Sequence, residues 1–168
     1  MNKTNLILLL VAILAVGAWY WSRRPSHGAG EPASDFTAQL ADGRTVHLSD
    51  LKGRFVLLQF WGSWCGPCRA ENPHLLDLYN KYHDKGFDIF SVGIERNAGS
   101  WKRAIEQDGM IWPWHTSDLK DFDNVIARQY NVKSIPMTFL INREGMIIGV
   151  DLSPQMLNKI LSEALGAQ

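Results

Sequence analysis

A pair of cysteines directly behind an apolar run constrains the fold of this 168-residue chain more than any other feature. Residues 55–61 have the length and apolarity of a buried strand, and Cys65 and Cys68, the chain's two cysteines, follow a short turn later. Behind them, apolar residues recur with helical spacing, at Leu75, Leu78, Tyr79 and Tyr82. A strand, a tight turn, a Cys-x-x-Cys pair and a helix are the setting expected of a dithiol–disulfide redox centre.

The spacing of the two thiols permits a disulfide or a metal site, and the rest of the chain discriminates between them. Residues three apart on a helix are neighbours, so the two sulfurs can bond. A structural zinc site needs about four ligands, and the sequence has neither a second cysteine pair nor a histidine pair at ligand spacing. Covalent haem attachment needs a histidine where Arg69 stands. A static disulfide that closes so short a loop gains little entropy, so redox exchange is favoured.

The position of each cysteine in the predicted helix indicates its role. Cys65 begins the helix, where unpaired N–H groups and the helix dipole favour a thiolate. We therefore expect Cys65 to be exposed and to attack the disulfide of a partner protein. Cys68 lies one turn further in, so we expect it to be buried and to resolve the mixed disulfide. Trp64 must then lie near the surface, because its neighbour Cys65 meets the partner.

Residues 60–69, with the sequence FWGSWCGPCR, resemble the active-site segment of the thioredoxin superfamily almost residue for residue. Further along, residues 134–139 resemble the loop in which that family carries a cis proline facing the dithiol. The resemblance therefore predicts a cis bond between Ile135 and Pro136, although X–Pro bonds are usually trans. It also implies a substrate-binding surface formed by Trp64, Gly66, Pro67, Ile135 and Pro136.

The residues after the second cysteine resemble the membrane-tethered TlpA/ResA branch of the superfamily more than cytosolic thioredoxin. Glu71 stands three residues after Cys68, whereas thioredoxin uses a buried acid on the preceding strand, where this chain has Gln59. A carboxylate at Glu71 would take the proton from Cys68 or raise the pKa of that thiol by charge repulsion. The alternative for Glu71 is a solvated helix carboxylate. Glu95, at the end of the next strand, is a second candidate for acid–base work.

The remaining pattern predicts an α/β chain with the thioredoxin-like fold, a central mixed β-sheet flanked by helices. An N-terminal β-hairpin turns at Asp42-Gly43, a buried strand spans residues 87–94, and a second hairpin turns at residues 142–145. Short helices are predicted over residues 101–107 and 122–130, a short strand over residues 110–114, and a last helix that begins with Ser153 and Pro154. The histidines show no ligand spacing, and we expect surface or linker positions for His27, His47, His74, His83 and His115.

The first 34 residues read as a membrane anchor (residues 1–21) and a flexible linker (residues 22–34) ahead of a domain at residues 35–168. The apolar run at residues 6–21 is short beside the roughly 20 residues of a spanning helix and long for a signal-peptide core. Small residues at 16–18 would suit cleavage of a signal peptide, but the aromatic residues 19–21 favour an uncleaved transmembrane helix. The linker is rich in Gly, Pro and Ser and lacks periodicity.

These features predict an enzyme, a thiol–disulfide oxidoreductase whose redox group is the Cys65–Cys68 disulfide, without a metal or a separate cofactor. The resemblance implies a domain on the extracytoplasmic (periplasmic) side of a bacterial membrane, where it reduces protein disulfides, including those of apocytochromes c before haem attachment. It also implies a membrane thiol–disulfide electron donor. The formal net charge is zero and no basic stripe is present, so nucleic acid is not expected as a partner.

Two other functions compete with this one. A peroxidase of the peroxiredoxin (AhpC/TSA) type would carry Pro-x-x-x-Thr-x-x-Cys, but Leu58 and Gly62 stand at the proline and threonine positions. A binding module that keeps only the fold would not need the dithiol, which is intact. Both alternatives are therefore less favoured than disulfide exchange.

Overall fold

The computed structural model describes residues 27–166, together with residue 5, residues 11–14 and residue 16. Among these described residues, no helix is long and apolar enough to cross a membrane. The predicted anchor at residues 1–21, its signal-peptide alternative and the first residues of the linker lie almost entirely outside the described residues, so they stay predictions.

Strands and helices alternate along residues 27–166. The strands are β1 (Thr37–Gln39), β2 (Thr45–His47), β3 (Phe55–Trp61), β4 (Phe87–Gly93), β5 (Trp114–Thr116), β6 (Met137–Ile141) and β7 (Ile147–Val150). The helices are α1 (Gly66–Tyr82), α2 (Ala98–Gln107), α3 (Val125–Gln129) and α4 (Pro154–Leu165).

A mixed sheet with strand order β5-β4-β3-β6-β7 forms the centre of the domain. β3 is parallel to β4 and antiparallel to β6, while β5 runs parallel to β4 and β7 antiparallel to β6. β1 and β2 form a separate antiparallel hairpin, and Gly43 in its turn adopts a φ of 92° that glycine tolerates best. The predicted fold class, a thioredoxin-like mixed sheet with an N-terminal hairpin, is thus confirmed for the described residues.

Both faces of the sheet are covered, which explains why the central strands read as continuous apolar runs rather than alternating ones. On one face, Leu57 and Trp61 of β3 pack in a cluster with side chains of α1 and α4, and this cluster includes both cysteines. On the other face, Leu58 and Phe60 pack with the β1–β2 hairpin and α3. The cysteine pair is therefore anchored in a core rather than carried on a loose loop.

α1 begins at a cysteine because the sulfur serves as its cap. The Sγ of Cys65 accepts a hydrogen bond from the backbone N–H of Cys68 at 3.2 Å, which satisfies one of the unpaired donors of the first turn. Pro67 also lies in the first turn, where its missing N–H costs nothing. The helix continues past Pro73 to Tyr82, the last residue of the apolar pattern that predicted it.

The strand predicted over residues 110–114 is wrong in its position. Met110 and Trp112 are buried in the cluster with α1, and the Trp112 ring lies 5.8 Å from that of Tyr79. The chain reaches β4 only at Trp114, which pairs with Phe90, so the strand is β5, Trp114–Thr116. Tertiary packing here overrides the local β-propensity on which the prediction rested.

Capping side chains set the boundaries of the two short helices. α2 begins at Ala98, earlier than predicted, because the Asn97 side chain accepts a hydrogen bond from the Ser100 N–H. α3 is shorter than the predicted helix, because Asn124 caps it and accepts from the N–H groups of Ile126 and Ala127.

His115 is a core residue and not the surface histidine that we predicted. It is 5% exposed, and its ring stacks against Trp112 with the ring centres 5.6 Å apart. Burial lowers the pKa of His115 to about 4, because the charged ring would lose its hydration. His115 is therefore neutral at ordinary pH and contributes to packing.

Residues 27–34, which we predicted as part of a flexible linker, lie on the domain. The His27 ring is buried and stacks on Tyr130 with ring centres 4.2 Å apart. Pro32 pairs with Met146, and backbone hydrogen bonds join this segment to the start of β7, the edge strand of the sheet. The segment covers that edge, so residues 27–34 belong to the folded part, which we predicted to begin at residue 35.

Removing residues 1–26 should therefore leave the stability of the domain unchanged, whereas removing residues 1–34 should lower it. The longer deletion removes the His27–Tyr130 stacking and the backbone hydrogen bonds to β7, which together contribute about 2 kcal/mol to the free energy of unfolding after the cost of ordering. Urea unfolding of the two shortened chains measures the difference. Equal unfolding midpoints would contradict the boundary at His27.

Candidate active site

β3 and α1 bring the cysteine pair to the carboxyl end of the central strand. Cys65 and Cys68 form a disulfide, with their Cα atoms 5.3 Å apart. Cys65 is 6% exposed and Cys68 is 0% exposed, so the order of exposure is as predicted. Cys65 is nevertheless more buried than expected, because it packs in the cluster that also holds Trp61 and Ile135. A partner that docks at this end of the sheet reaches Cys65 first.

The groups around Cys65 act on its thiolate in opposite directions. Its N-cap position supplies the Cys68 N–H and the positive end of the α1 dipole. Burial acts in the opposite direction, because it penalises the charged form. The guanidinium of Arg69 is held by Asp108 through two bonds of 2.6 Å each, so its charge is neutralised by that carboxylate.

Trp64 lies at the surface next to the pair, as predicted, and is 58% exposed. Its indole N–H donates to the Ile94 carbonyl at 2.8 Å, and its ring meets the edge of Phe122 with centres 6.3 Å apart. Gly62 permits this packing, since a β-carbon there would lie 2.9 Å from Trp64 Nε1 and 3.1 Å from Ile135 Cδ1. The glycine thus lets Trp64 and Ile135 close over the backbone in front of Cys65.

The loop before β6 reaches the same end of the sheet. The bond between Ile135 and Pro136 is cis, which confirms the prediction. Ile135 packs against the cluster that contains both cysteines, and Gly66 and Pro67 are exposed on the first turn of α1. The five residues predicted to bind substrate thus flank the disulfide from both sides, and their binding role remains a prediction.

Glu71 is half-buried and faces a cavity of about 340 Å³ next to the cis proline, lined by Glu71, Pro136, Thr138, Asp151, Leu152 and Ser153. Burial raises the pKa of Glu71, the negative charge of Asp151 raises it further, and His74 opposes both. Glu71 is therefore not the fully solvated carboxylate of the alternative interpretation. A carboxyl group with a raised pKa is better suited to exchange a proton near neutral pH.

Asp151 is a site residue that the sequence did not indicate. Its Oδ1 accepts a hydrogen bond from the Thr138 N–H at 2.8 Å, which fixes the carboxylate beside β6. Asp151 lies far from Glu71 along the chain, and the residues around it form no recognisable motif. The local sequence therefore does not mark it as a site residue. Only the antiparallel pairing of β6 and β7 brings it to the cavity.

Gln59 stands on β3 where thioredoxin has a buried acid, and both the oxygen and the nitrogen of its side-chain amide are hydrogen-bonded. Its Oε1 accepts from Ser91 Oγ at 2.7 Å, and its Nε2 donates to Asn72 Oδ1 at 2.9 Å. All three side chains are fully buried, and Asn72 also donates to Asp108 at 2.8 Å. The Gln59 amide, satisfied at both ends, cannot accept a proton from Cys68.

Glu95 is 2% exposed and lines a groove of about 590 Å³ beside Trp64. Its carboxylate accepts hydrogen bonds from the Ser63 N–H and from Ser63 Oγ. Within the part of the chain that the structure describes, no group of three or more His, Cys, Asp or Glu side chains could hold a metal ion.

Known proteins are similar to this chain in sequence and in fold. Residues 29–150 match the AhpC/TSA family. Over 150 residues, 88% of this chain and 82% of the relative, the chain is 31% identical to the thiol-disulfide oxidoreductase ResA of Bacillus subtilis (strain 168).

Solved structures agree with that relationship. The thioredoxin domain of a thiol-disulfide oxidoreductase from Bacteroides vulgatus matches with a TM-score of 0.75 and 34% identity, over 83% of this chain and 99% of that chain. A thiol:disulfide interchange protein DsbE from Chlorobium tepidum matches with a TM-score of 0.71 and 32% identity, over 84% of this chain and 99% of that chain.

Replacing Glu71 with glutamine should slow thiol exchange near neutral pH by about tenfold, because the variant lacks a group that can take the proton from Cys68. Loss of the negative charge should also lower the pKa of the Cys68 thiol, so the pH–rate profile should shift to lower pH. Stopped-flow measurement of disulfide reduction between pH 5 and pH 9 tests both effects. Asp77→Asn, at an exposed position of the same helix, is the control. An unchanged profile for Glu71→Gln would show that Glu71 has no acid–base role.

Proposed function

The chain belongs to the AhpC/TSA family and is a thiol–disulfide oxidoreductase with a thioredoxin-like fold, and we propose that it acts as a reductase of protein disulfides outside the cytoplasm. The observation that carries the direction of the reaction is the environment of Cys65, where burial opposes the helix dipole and the nearby Arg69 is paired with Asp108. Protein disulfides are the substrates of such an enzyme. The reducing direction, the compartment and the electron donor are the parts that we propose.

The exchange proceeds in two steps that balance electrons and protons. The Cys65 thiolate attacks one sulfur of the substrate disulfide, which forms a mixed disulfide and releases the other substrate sulfur as a thiolate that takes up a proton. Cys68 then loses its proton and attacks Sγ of Cys65, and the second substrate sulfur leaves and is protonated. Two electrons pass to the substrate, and the Cys65–Cys68 disulfide is the product.

Glu71 is the group proposed to take the proton of Cys68 in the second step. It follows Cys68 by three residues on α1, so the two side chains share one face of the helix. Burial and Asp151 raise the pKa of Glu71, which brings it closer to that of a thiol. Thioredoxin has a buried acid where this chain has Gln59. The neutral Gln59 amide cannot take the proton of Cys68, so it does not compete with Glu71 for that role.

The weak stabilisation of the Cys65 thiolate supports a reducing role. A strong disulfide oxidant has a much stabilised thiolate in its reduced form, as in DsbA, whose cysteine pKa is about 3.5. In this site, the cation next in sequence to the pair, Arg69, is bound by Asp108, and Cys65 is largely buried. The dithiol therefore gains little from staying reduced, and it passes its electrons on. Gly66-Pro67, the dipeptide of the reducing thioredoxins, agrees with this direction.

The predicted N-terminal anchor and the cysteine content support the proposed location and partner. An anchor at residues 1–21 would hold the domain at the periplasmic face of a bacterial membrane, and a cleaved signal peptide would release it into the same compartment. The chain contains two cysteines, both in the site, so its disulfide must be reduced again by the thiols of another protein. We propose a membrane thiol–disulfide protein as that donor. Apocytochromes before haem attachment are the proposed substrates, by resemblance to the TlpA/ResA branch.

The peroxidase alternative gains no support from the site. A threonine at position 62 would bring its β-carbon to 2.9 Å from Trp64 Nε1, so Trp64 would have to move. Leu58, at the proline position of the peroxidase pattern, is fully buried in the middle of β3. The packing at positions 58 and 62 thus does not suit the peroxide-binding residues of that class, and disulfide exchange remains the favoured function.

Substitution of each cysteine separates the two steps. Cys65→Ser should abolish reduction of insulin, because no thiolate remains at the helix N-terminus to attack. Cys68→Ser should stop turnover but accumulate adducts joined to Cys65, since attack survives and resolution does not. Mass spectrometry of the trapped adducts, from the purified protein or from cells, measures this and identifies substrates. Faster alkylation of Cys68 than of Cys65 in the reduced wild type would reverse the assignment.

Equilibration with glutathione buffers tests the direction of electron flow. We expect a reduction potential below that of the glutathione couple, because the Cys65 thiolate lacks strong stabilisation. The fraction of reduced protein at each buffer ratio can be counted by alkylation of its thiols. A potential well above the glutathione couple would make the protein an oxidant and would refute the reductase proposal.

A further inference from the structure

Glu95 is an unusual residue to find buried next to a redox site. It is 2% exposed, and none of the ion pairs among the described residues includes it. A buried carboxylate is costly unless hydrogen bonds compensate it. The compensation comes from one residue, since Oε1 accepts from the Ser63 N–H and Oε2 accepts from Ser63 Oγ at 3.0 Å.

Ser63 lies in the turn that carries the attacking cysteine. The Cys65 N–H donates to the Gly62 carbonyl at 3.0 Å, which closes this turn between β3 and α1. The next residue, Trp64, is bound to the chain just after β4, as is Ser63, because its indole N–H donates to the Ile94 carbonyl at 2.8 Å. Both central residues of the turn are thus fastened to the end of β4.

We propose that Glu95 is a positioning residue for Cys65, because its carboxylate holds Ser63 and so fixes the turn from which Cys65 caps α1. Glu95 contacts neither sulfur and acts through Ser63. A held turn keeps the Cys65 sulfur within 3.2 Å of the Cys68 N–H, the contact that stabilises a thiolate at the helix N-terminus. The proposal rests on the exchange chemistry of Cys65 and not on the direction of electron flow.

The charge of Glu95 and its hydrogen bonds have opposite consequences for the thiolate, so an experiment must separate them. A negative charge near Cys65 disfavours the thiolate, whereas a fixed turn favours it. The other charged groups facing Glu95 in the groove are Arg96 and Asp121, which pair with each other at 2.7 Å. Burial raises the pKa of Glu95 and Asp121 adds to this rise, while the hydrogen bonds from Ser63 oppose it.

Two substitutions of Glu95 remove its charge but differ in hydrogen bonding. In Glu95→Gln, the amide oxygen still accepts from the Ser63 N–H, and the amide nitrogen donates to Ser63 Oγ. In Glu95→Ala, both bonds are lost. The difference between these two variants therefore reports the contact of the side chain with Ser63, with the change of charge held constant.

The experiment measures the pKa of the Cys65 thiol in the full chain, with Cys68→Ser as the background so that a single thiol is alkylated. The pH dependence of the alkylation rate should give a higher thiol pKa for Glu95→Ala than for Glu95→Gln, and a rate at neutral pH about fivefold lower, as expected for loss of a helix-capping arrangement. Insulin reduction by the variants with both cysteines present should show the same order. Asp121→Asn, in the same groove but without a bond to Ser63, should stay within about twofold of the parent chain.

Equal thiol pKa values for Glu95→Ala and Glu95→Gln would overturn the proposal, and so would an equally large effect of Asp121→Asn. Far-UV circular dichroism checks that each variant is folded. If Glu95→Ala does not fold, Ser63→Ala replaces it, since it removes one of the two bonds at a half-buried turn position and should raise the thiol pKa by a smaller amount. No change in Ser63→Ala would then refute the proposal. An oxidising reduction potential would refute the reductase proposal and leave these pKa differences intact.

Discussion

The junction between the central strand and the first helix is the constraint on which the rest of the site depends. β3 is buried on both faces, so its end is fixed, and α1 starts immediately after a short turn with a sulfur as its cap. Because β4 runs parallel to β3, its carboxyl end lies at the same edge and brings Ile94 and Glu95 to that turn. Because β6 runs antiparallel, its beginning lies there too and brings the loop with Pro136. One sheet edge thus assembles the nucleophile and the groups around it.

The carboxylate proposed for proton transfer lies outside the core of this sheet. The buried position on β3 holds Gln59, whose neutral amide is satisfied by Ser91 and Asn72, so this position itself buries no charge. A carboxylate at that depth would need a partner or would stay protonated. Glu71 lies instead at a half-buried helix position next to a cavity, where it can gain and lose a proton at lower cost. The group proposed to take the proton of Cys68 is therefore a side chain that solvent can reach.

The elements that the sequence predicted correctly are those determined by residues close to one another along the chain. β3, the cap and first turn of α1, both hairpins and the start of α4 depend on neighbours along the chain, and the structure agrees with them. The features that the sequence did not predict, one of them in the site, depend on contacts between distant parts of the chain. The pairing of β6 with β7 brings Asp151 to the cavity that Glu71 lines. Residues 27–34 pack along the edge of β7. Such contacts leave no periodic signal, because they are decided by packing in three dimensions.

The two carboxylates near the disulfide illustrate how similar residues acquire different functions. Burial raises the pKa of both Glu71 and Glu95, so their titration alone does not distinguish them. Their partners do. Both oxygens of Glu95 are engaged by Ser63, so the carboxylate is committed to holding the turn. Glu71 instead faces a cavity and a second negative charge at Asp151, an arrangement that holds no turn and favours uptake of a proton. Their surroundings therefore support the two different roles proposed for these carboxylates.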